Sequence, residues 1–473
     1  MVLWLPPAAG LLVGALAALA ALVPWLSRHV VRYAPVAVSL VVLGTGVGLV
    51  VGDQVVVSGV LRADALSSYL LAVVGAVALV ATWGGLAPPA PVPTGADRRY
   101  AALVCAFLAA MSLAVLADNL GVVWIAVEAT TITTAFLVGH HGTTRALEAA
   151  WKYVVLGSVG VAIALLGTVL LYAAARAAGN PTLSWVVLSS GDVPLDPGLV
   201  KVAGALAVLG FATKAGLAPM HSWLPDAHSQ APAPVSGLMS GVLLAVAFYA
   251  ILRVQAVVNP VVGSGLLRGM LLVGGLGSLL VAAALIARQR DYKRLLAYSS
   301  IEHMGLMAVG AAVGGRLALV AVLLHVLGHG LTKSVLFLGA GKILDETGTT
   351  TIADVRGLLH RRPDLAVIFA IAIIALLGLP PFAPFFSEIG IVLAGWQAGL
   401  GWAVAVALFA LLVVLAGIVR AVGAMLLGSQ PAPSDSPRPW AWLVPTGTAL
   451  VVVGVVGFFG LGDVLVRAAE VLL

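Results

Sequence analysis

Long apolar runs separated by short polar segments recur along the whole chain, at the length a membrane-spanning helix requires. About 18 or more consecutive apolar residues mark such a helix. The pattern predicts fourteen spans, at roughly 5–26, 33–52, 65–85, 100–117, 120–139, 149–174, 199–218, 233–256, 265–287, 294–313, 317–341, 365–395, 400–427 and 441–462. The expected fold is all-α, a polytopic integral membrane protein with no soluble domain. Pro88–Pro93 and Pro431–Pro439 read as connectors.

The seventh span carries a polar interruption. In VAGALAVLGFATKAGLAPMHSWLPDAHSQ, from Val202 to Gln230, Lys214 lies well inside apolar sequence and Pro219 and Pro225 follow it. Each proline removes a backbone donor and clashes with the carbonyl four residues back, so a break is expected at both. A charge inside an apolar span disfavours insertion by about 2.5–3.5 kcal/mol. Broken helices carrying such charges are how transporters build ion sites.

The charged positions repeat. Glu128 and Glu302 are 174 residues apart (302 − 128), and so are Lys214 and Glu388 (388 − 214). FATKAGL aligns with FFSEIGI, and prolines break both spans, with Pro380, Pro381 and Pro384 in the second. An offset of five spans is odd, so the two units are expected to be inverted five-helix repeats with helices 7 and 12 broken. The expected divisions are a three-helix segment at 1–99, repeats at 100–257 and 258–428, and a final helix at 429–473.

Composition agrees with this class. Charged residues make up 9% and apolar residues 61%, and the mean hydropathy is +1.11, whereas a soluble domain is about a quarter charged. The basic pI comes from short loops and implies no nucleic acid. Cys105 is the only cysteine, which excludes an intramolecular disulfide and a cysteine-ligated iron–sulfur cluster. No cofactor is expected in this chain, and no Walker loop, dinucleotide fingerprint or hydrolase elbow is present. The N-terminal run has no Lys or Arg ahead of it, so an uncleaved first span is expected.

Basic residues are distributed unevenly. Odd-numbered loops hold fifteen Lys or Arg, even-numbered loops and the C-terminus hold seven, with Arg253 among the latter, and Lys214, Lys333 and Arg420 lie inside spans. The excess places the odd loops in the cytoplasm and both termini on the opposite face.

The intramembrane charges are the candidate chemistry. Glu128, within VVWIAVEATTITTAF, is either a protonated carboxyl bonded to Thr130 or Thr131, or one half of a switch with Lys214. Burial favours the neutral carboxyl and a nearby ammonium the charged one. His325, His329 and Lys333 are spaced four apart, which aligns them along one helix stripe. They read as a proton relay, since histidine titrates near neutrality. The alternatives are hydrogen-bonded packing, or a metal site with His303 or Glu302 as the third ligand. Glu302, His303 and Glu388 extend the string of ionisable groups. His221, Asp226 and His228 flank the break and either cap it or line an entrance. His140, His141 and His360 read as solvated loop ends.

Four segments carry a family resemblance: VEATTITTAFLVGHHGTTRALEAAWKY, GFATKAGLAPMHSWLPDAHSQAPAPVSGLMSG, RQRDYKRLLAYSSIEHMGL and HVLGHGLTKSVLFLGAG. They resemble the antiporter-like subunits of respiratory complex I, of multisubunit cation/proton antiporters and of membrane-bound hydrogenases. The wording is most similar to the hydrogenase-4 component F branch. The resemblance implies that Glu128, Lys214, His325, His329, Lys333 and Glu388 carry protons, with Glu302 and His303 beside them. Lys152, His221, Asp226 and His228 are possible accessory groups. It implies no metal, and it implies partners in the form of other membrane subunits and a peripheral redox arm with iron–sulfur and possibly nickel–iron chains. Ala245 stands where several relatives place a lysine or histidine. The alternatives to this reading are a cation/proton antiporter subunit without a redox arm, and a non-pumping structural subunit.

Overall fold

The computed structural model describes residues 1–19, 24–86, 93–427, 440–459 and 461–473, without the side chains of 24–28, 440–441 and 457–459. Most of the two proline-rich connectors lies outside the described residues. The chain opens with α1 (Leu5–Leu19), α2 (Pro24–Gly52), α3 (Ala65–Gly84), α4 (Gly95–Leu116), α5 (Leu120–Val138) and α6 (Thr144–Ala177). The short α7 (Trp185–Ser189) precedes α8 (Pro197–Lys214), α9 (Trp223–Gln230), α10 (Ala233–Leu238) and α11 (Leu244–Val262). Then come α12 (Gly265–Ile286), α13 (Tyr292–Val313), α14 (Gly315–Thr347), α15 (Leu358–Arg361), α16 (Pro363–Leu376), α17 (Ala383–Gln397), α18 (Gly401–Leu427), α19 (Trp440–Phe459) and α20 (Gly462–Glu470). A π-helical turn, Met239–Leu243, joins α10 to α11. A small hairpin, Val56–Ser58 with Leu61–Ala63, interrupts the all-helical expectation.

Among the described residues, eleven helices are long and apolar enough to cross a membrane, counting α10 through α11 as one. The chain is a multi-span integral membrane protein. Of the remaining expected spans, α16 and α19 are apolar but shorter, and α13 carries Lys293, Arg294 and Glu302. That helix lies at the centre, buried without interruption from Leu295 to Val313, beside the stretch His325–Ala340 of α14, which is equally buried.

Close approach depends on glycine where α6 meets α8. A Cβ on Gly210 would lie 2.5 Å from the Gly160 carbonyl oxygen, and one on Gly167 2.6 Å from that of Ala203. Small residues allow backbones this near where lipid supplies no hydrophobic drive.

The seventh span breaks differently from expectation. Helix α8 stops at Lys214 and Pro219 sits in the turn that follows, but Pro225 does not break anything. It occupies the first turn of α9, where backbone N–H groups have no intrahelical partner to lose. The twelfth span likewise separates into α16 and α17, with Pro384 in the first turn of α17. The two breaks fall on opposite sides of their charges: Lys214 ends a helix, whereas Glu388 lies in the second turn of a new one. Helix dipoles favour a cation at a C-terminus, which suits Lys214.

Arg253 is not a loop residue. It lies fully buried within α11, where its Nε and Nη2 have hydrogen-bond partners and an aromatic ring covers the guanidinium. Its Nη2 donates to both Asp64 carboxylate oxygens at 2.9 and 2.8 Å and to Ser67 Oγ, and its Nε donates to the Tyr249 hydroxyl. The Trp185 ring covers it, 3.7 Å from the guanidinium carbon. This ties α11 to α3 and lowers the even-loop count of basic residues to six.

Candidate proton path

Lys214 is fully buried at the C-terminus of α8. Its ammonium donates to Thr131 Oγ1 at 2.7 Å and to the Tyr153 hydroxyl at 2.6 Å, and lies 4.4 Å from the Tyr153 ring centre. Thr131 in turn donates to Glu128 Oε2 at 3.1 Å, and Ser158 donates to Oε1 at 3.2 Å. No direct Glu128–Lys214 ion pair stands among those of the described residues; the Thr131 hydroxyl spans the two. The indole of Trp223 donates to the Thr213 carbonyl at 2.9 Å, satisfying an orphan acceptor at the helix end.

Lys333 is also fully buried, in the middle of α14. It donates to the Leu296 carbonyl at 2.8 Å and to Ser299 Oγ at 2.5 Å. Beside it run the histidines. His303 Nδ1 and His325 Nε2 are 2.8 Å apart, and His325 Nδ1 is 2.8 Å from Ser387 Oγ. The Ser387 hydroxyl donates its one hydrogen to the Pro384 carbonyl at 2.8 Å, so it accepts from His325 Nδ1. His325 Nε2 must then accept from His303 Nδ1. The remaining His303 nitrogen, Nε2, faces Glu302 Oε2 at 3.5 Å. His329 adjoins this pair, its ring centre 4.9 Å from that of His303.

Donor atoms of His303, His325 and Glu388 lie within 4.8 Å of one another, so the structure supplies a third potential ligand, Glu388, that the sequence reading did not propose. Two nitrogens on one tetrahedral zinc stand about 3.3 Å apart, given Zn–N bonds of about 2.0–2.1 Å. The His303 Nδ1 and His325 Nε2 atoms are closer than that and share a hydrogen.

Glu388 and Glu302 both line a cavity of about 240 Å³, otherwise walled by apolar residues including Leu376, Leu411 and Leu415. Gly378, at positive φ after α16, backs the Glu388 carboxylate so closely that a Cβ there would lie 2.4 Å from Oε2.

The accessory residues separate. Lys152 pairs with Glu148 at 2.6 Å and Asp226 at 3.2 Å, and Arg294 reaches Asp226 at 3.0 Å. These line a cavity of about 360 Å³ where α6, α9 and α13 meet. His221 is half-buried in the turn before α9, whereas His228 is fully buried. Arg420 lies exposed on α18 and donates to the Ala287 carbonyl. Thr131 was expected beside Glu128 but not beside Lys214, and Tyr153, Ser299 and Ser387 were not singled out from sequence. Apolar spans contain many hydroxyls, and only the fold shows which face a lysine or histidine.

Ionisable groups buried within a bundle of membrane spans, Lys214 and Glu388 beside helix breaks and the others mid-helix, define the class: an ion-translocating, multi-helix membrane subunit. Residues 117–414 match the family described as NADH:quinone oxidoreductase/Mrp antiporter, transmembrane. The chain belongs to that family. It is 41% identical over 361 residues to the hydrogenase-4 component F homolog of Methylacidiphilum infernorum, covering 75% of this chain and 72% of that one. It is 35% identical over 301 residues to NADH-quinone oxidoreductase subunit N of Desulforudis audaxviator, covering 63% and 59%. The fold matches that of a chain in the Mrp complex from a Dietzia species with a TM-score of 0.86 at 22% identity, covering 99% and 96%.

Proposed function

We propose that this chain is the proton-translocating subunit of a membrane-bound respiratory oxidoreductase of the hydrogenase-4 or complex I type, in the plasma membrane. Partner subunits carry the electrons, and this chain moves protons through Glu128, Lys214, Lys333, His329, His325, His303, Glu302 and Glu388. The observation that carries the reading is the pair of fully buried lysines, each held by neutral oxygens instead of a carboxylate: two hydroxyls for Lys214, a hydroxyl and a backbone carbonyl for Lys333. Ionisable groups buried at membrane depth mark proton relays. The arrangement is that of fourteen spans with inverted repeats at 100–257 and 258–428, a helical segment at 1–99 before them and a helix at 429–473 after them. That the seventh and the twelfth span each divide into two helices supports it. Both termini face outward.

The likeness to a chain of the Mrp complex favours, as a second reading, a cation/proton antiporter subunit without a redox arm. The subunits that co-purify distinguish the two: iron–sulfur chains belong to the first, small hydrophobic subunits alone to the second.

The test is proton uptake by vesicles holding the intact complex, driven by its own redox reaction. Lys214→Met should abolish uptake while the complex stays assembled. Lys214→Arg should fail as well, because a guanidinium does not release its proton. Normal pumping in Lys214→Arg would make the lysine structural and the reading wrong.

A further inference from the structure

We propose that the groove where α12 meets α18 binds an anionic phospholipid, held at its phosphate by Arg420 and Arg288. Arg420 lies exposed on α18, and its Nη2 donates to the Ala287 carbonyl at the end of α12. Arg288 is the next residue and is exposed as well. A guanidinium carries five N–H donors, and the Ala287 carbonyl takes up one of those on Arg420. Neither arginine is among the ion pairs of the described residues. At the same end of the bundle, Asp291 and Asp354 are offset by Arg290 and Arg356, which leaves Arg288 and Arg420 in excess.

The level of this pair suits a headgroup. The part of α18 before Arg420, Gly401 to Val419, spans about 28 Å at 1.5 Å per residue, close to the ~30 Å of a hydrocarbon core. Arg420 therefore stands at the interface, and α12 ends at the same height. Below it each helix turns an apolar face outward. Phe409 precedes Arg420 by eleven residues (420 − 409), about three turns, and is 63% exposed. Leu280 and Val273 precede Ala287 by seven and fourteen (287 − 280, 287 − 273), about two and four turns, and are 44% and 76% exposed. The bond from Arg420 to Ala287 sets those two faces side by side.

The complement of that surface is an amphiphile with phosphate at the arginines and acyl chains along the strip beneath. Arginine matches phosphate through its planar fork of donors. A zwitterionic headgroup brings its own ammonium, which two guanidiniums repel, so a headgroup of net negative charge is selected. The basic excess of the odd-numbered loops puts this end toward the cytoplasm, and basic groups beside the cytoplasmic ends of spans attract anionic lipid. This binding is separate from the proton path and does not depend on it.

The experiment places a bimane label on Phe409→Cys in the intact complex, Cys105 being buried, with the label taken up without that cysteine subtracted. The complex enters phosphatidylethanolamine vesicles holding a minor fraction of a quencher lipid, doxyl-phosphatidylglycerol or doxyl-phosphatidylcholine. Quenching by the first should exceed that by the second at least twofold. Arg420→Gln should narrow the difference and Arg288→Gln/Arg420→Gln should abolish it, with both complexes intact on a native gel. Bimane on Ile132→Cys, exposed on α5, should be quenched equally by the two lipids. Equal quenching at Phe409→Cys would mean boundary lipid only and overturns the proposal. A preference that survives the double substitution, or that appears equally at Ile132→Cys, overturns it too. So does an absence of quenching by either lipid, which would mean that a partner subunit covers the groove.

Discussion

Glu128 and Lys214 are joined through a single hydroxyl: Thr131 accepts from the lysine at 2.7 Å and donates to the glutamate at 3.1 Å. A direct ion pair would hold both charges in place, whereas a hydroxyl between them couples the two while leaving each free to change protonation.

Thr131→Val removes that link at nearly constant shape. Lys214 keeps only the Tyr153 hydroxyl, and Glu128 keeps Ser158. Proton uptake by the intact complex should drop about tenfold, equivalent to about 1.4 kcal/mol on the transfer barrier, and Thr131→Ser should retain most of it. Full uptake in Thr131→Val would mean the hydroxyl plays no part in coupling.

Gly378→Ala tests the position of Glu388. The new methyl would meet the carboxylate at 2.4–2.5 Å, and the positive φ adds backbone strain of about 1 kcal/mol or more. Gly399→Ala is the control, since it carries similar strain at φ +74 in open space. Uptake should fall in the first variant and not in the second, with both complexes assembled. Equal uptake in the two would show that Glu388 tolerates displacement.

The Arg253–Asp64 pair should dominate the stability of the junction between α3 and α11. Arg253→Met strands a buried carboxylate, at a cost of about 3–5 kcal/mol, whereas replacing both partners by apolar residues is often close to neutral. In thermal unfolding of the detergent-solubilised chain, Arg253→Met should melt well below wild type. Arg253→Met/Asp64→Leu should recover most of the loss. A double variant no better than the single would place the stabilisation in the Trp185 and Tyr249 contacts instead.

Hydropathy made most of the spans legible, because a bilayer demands apolar length whatever the helix packs against. It did not show which face of a helix is buried, so Arg253, near the end of an apolar run, was read as a loop residue. The intramembrane charges could be seen for the same reason that the spans could: each is an exception to an apolar run. Most of their partners could not. Thr131, three residues from Glu128, was in view as its partner, but Ser387 looks like any other small polar residue in sequence, and Lys214 meets Thr131 across 83 residues. Pro225 misled because a proline looks alike in a break and in the first turn of the helix after it.

Orientation follows from the basic loops and can be tested directly, because Cys105, the only native cysteine, is buried and should not react in the folded chain. Engineered thiols at exposed positions then report sidedness. Asp192 lies exposed in an even-numbered loop and Arg290 exposed in an odd-numbered one. With Arg253 reassigned to the interior, fifteen basic residues in odd loops face six elsewhere outside the spans, and an excess of that kind stays on the cytoplasmic side. A membrane-impermeant maleimide added to intact cells should label Asp192→Cys and leave Arg290→Cys unlabelled. Opening the membrane should expose Arg290→Cys. Labelling of Arg290→Cys in intact cells, with Asp192→Cys protected, would invert the protein and place the Lys152–Asp226–Arg294 cluster on the outer face, reversing the direction in which the proposed path takes up protons.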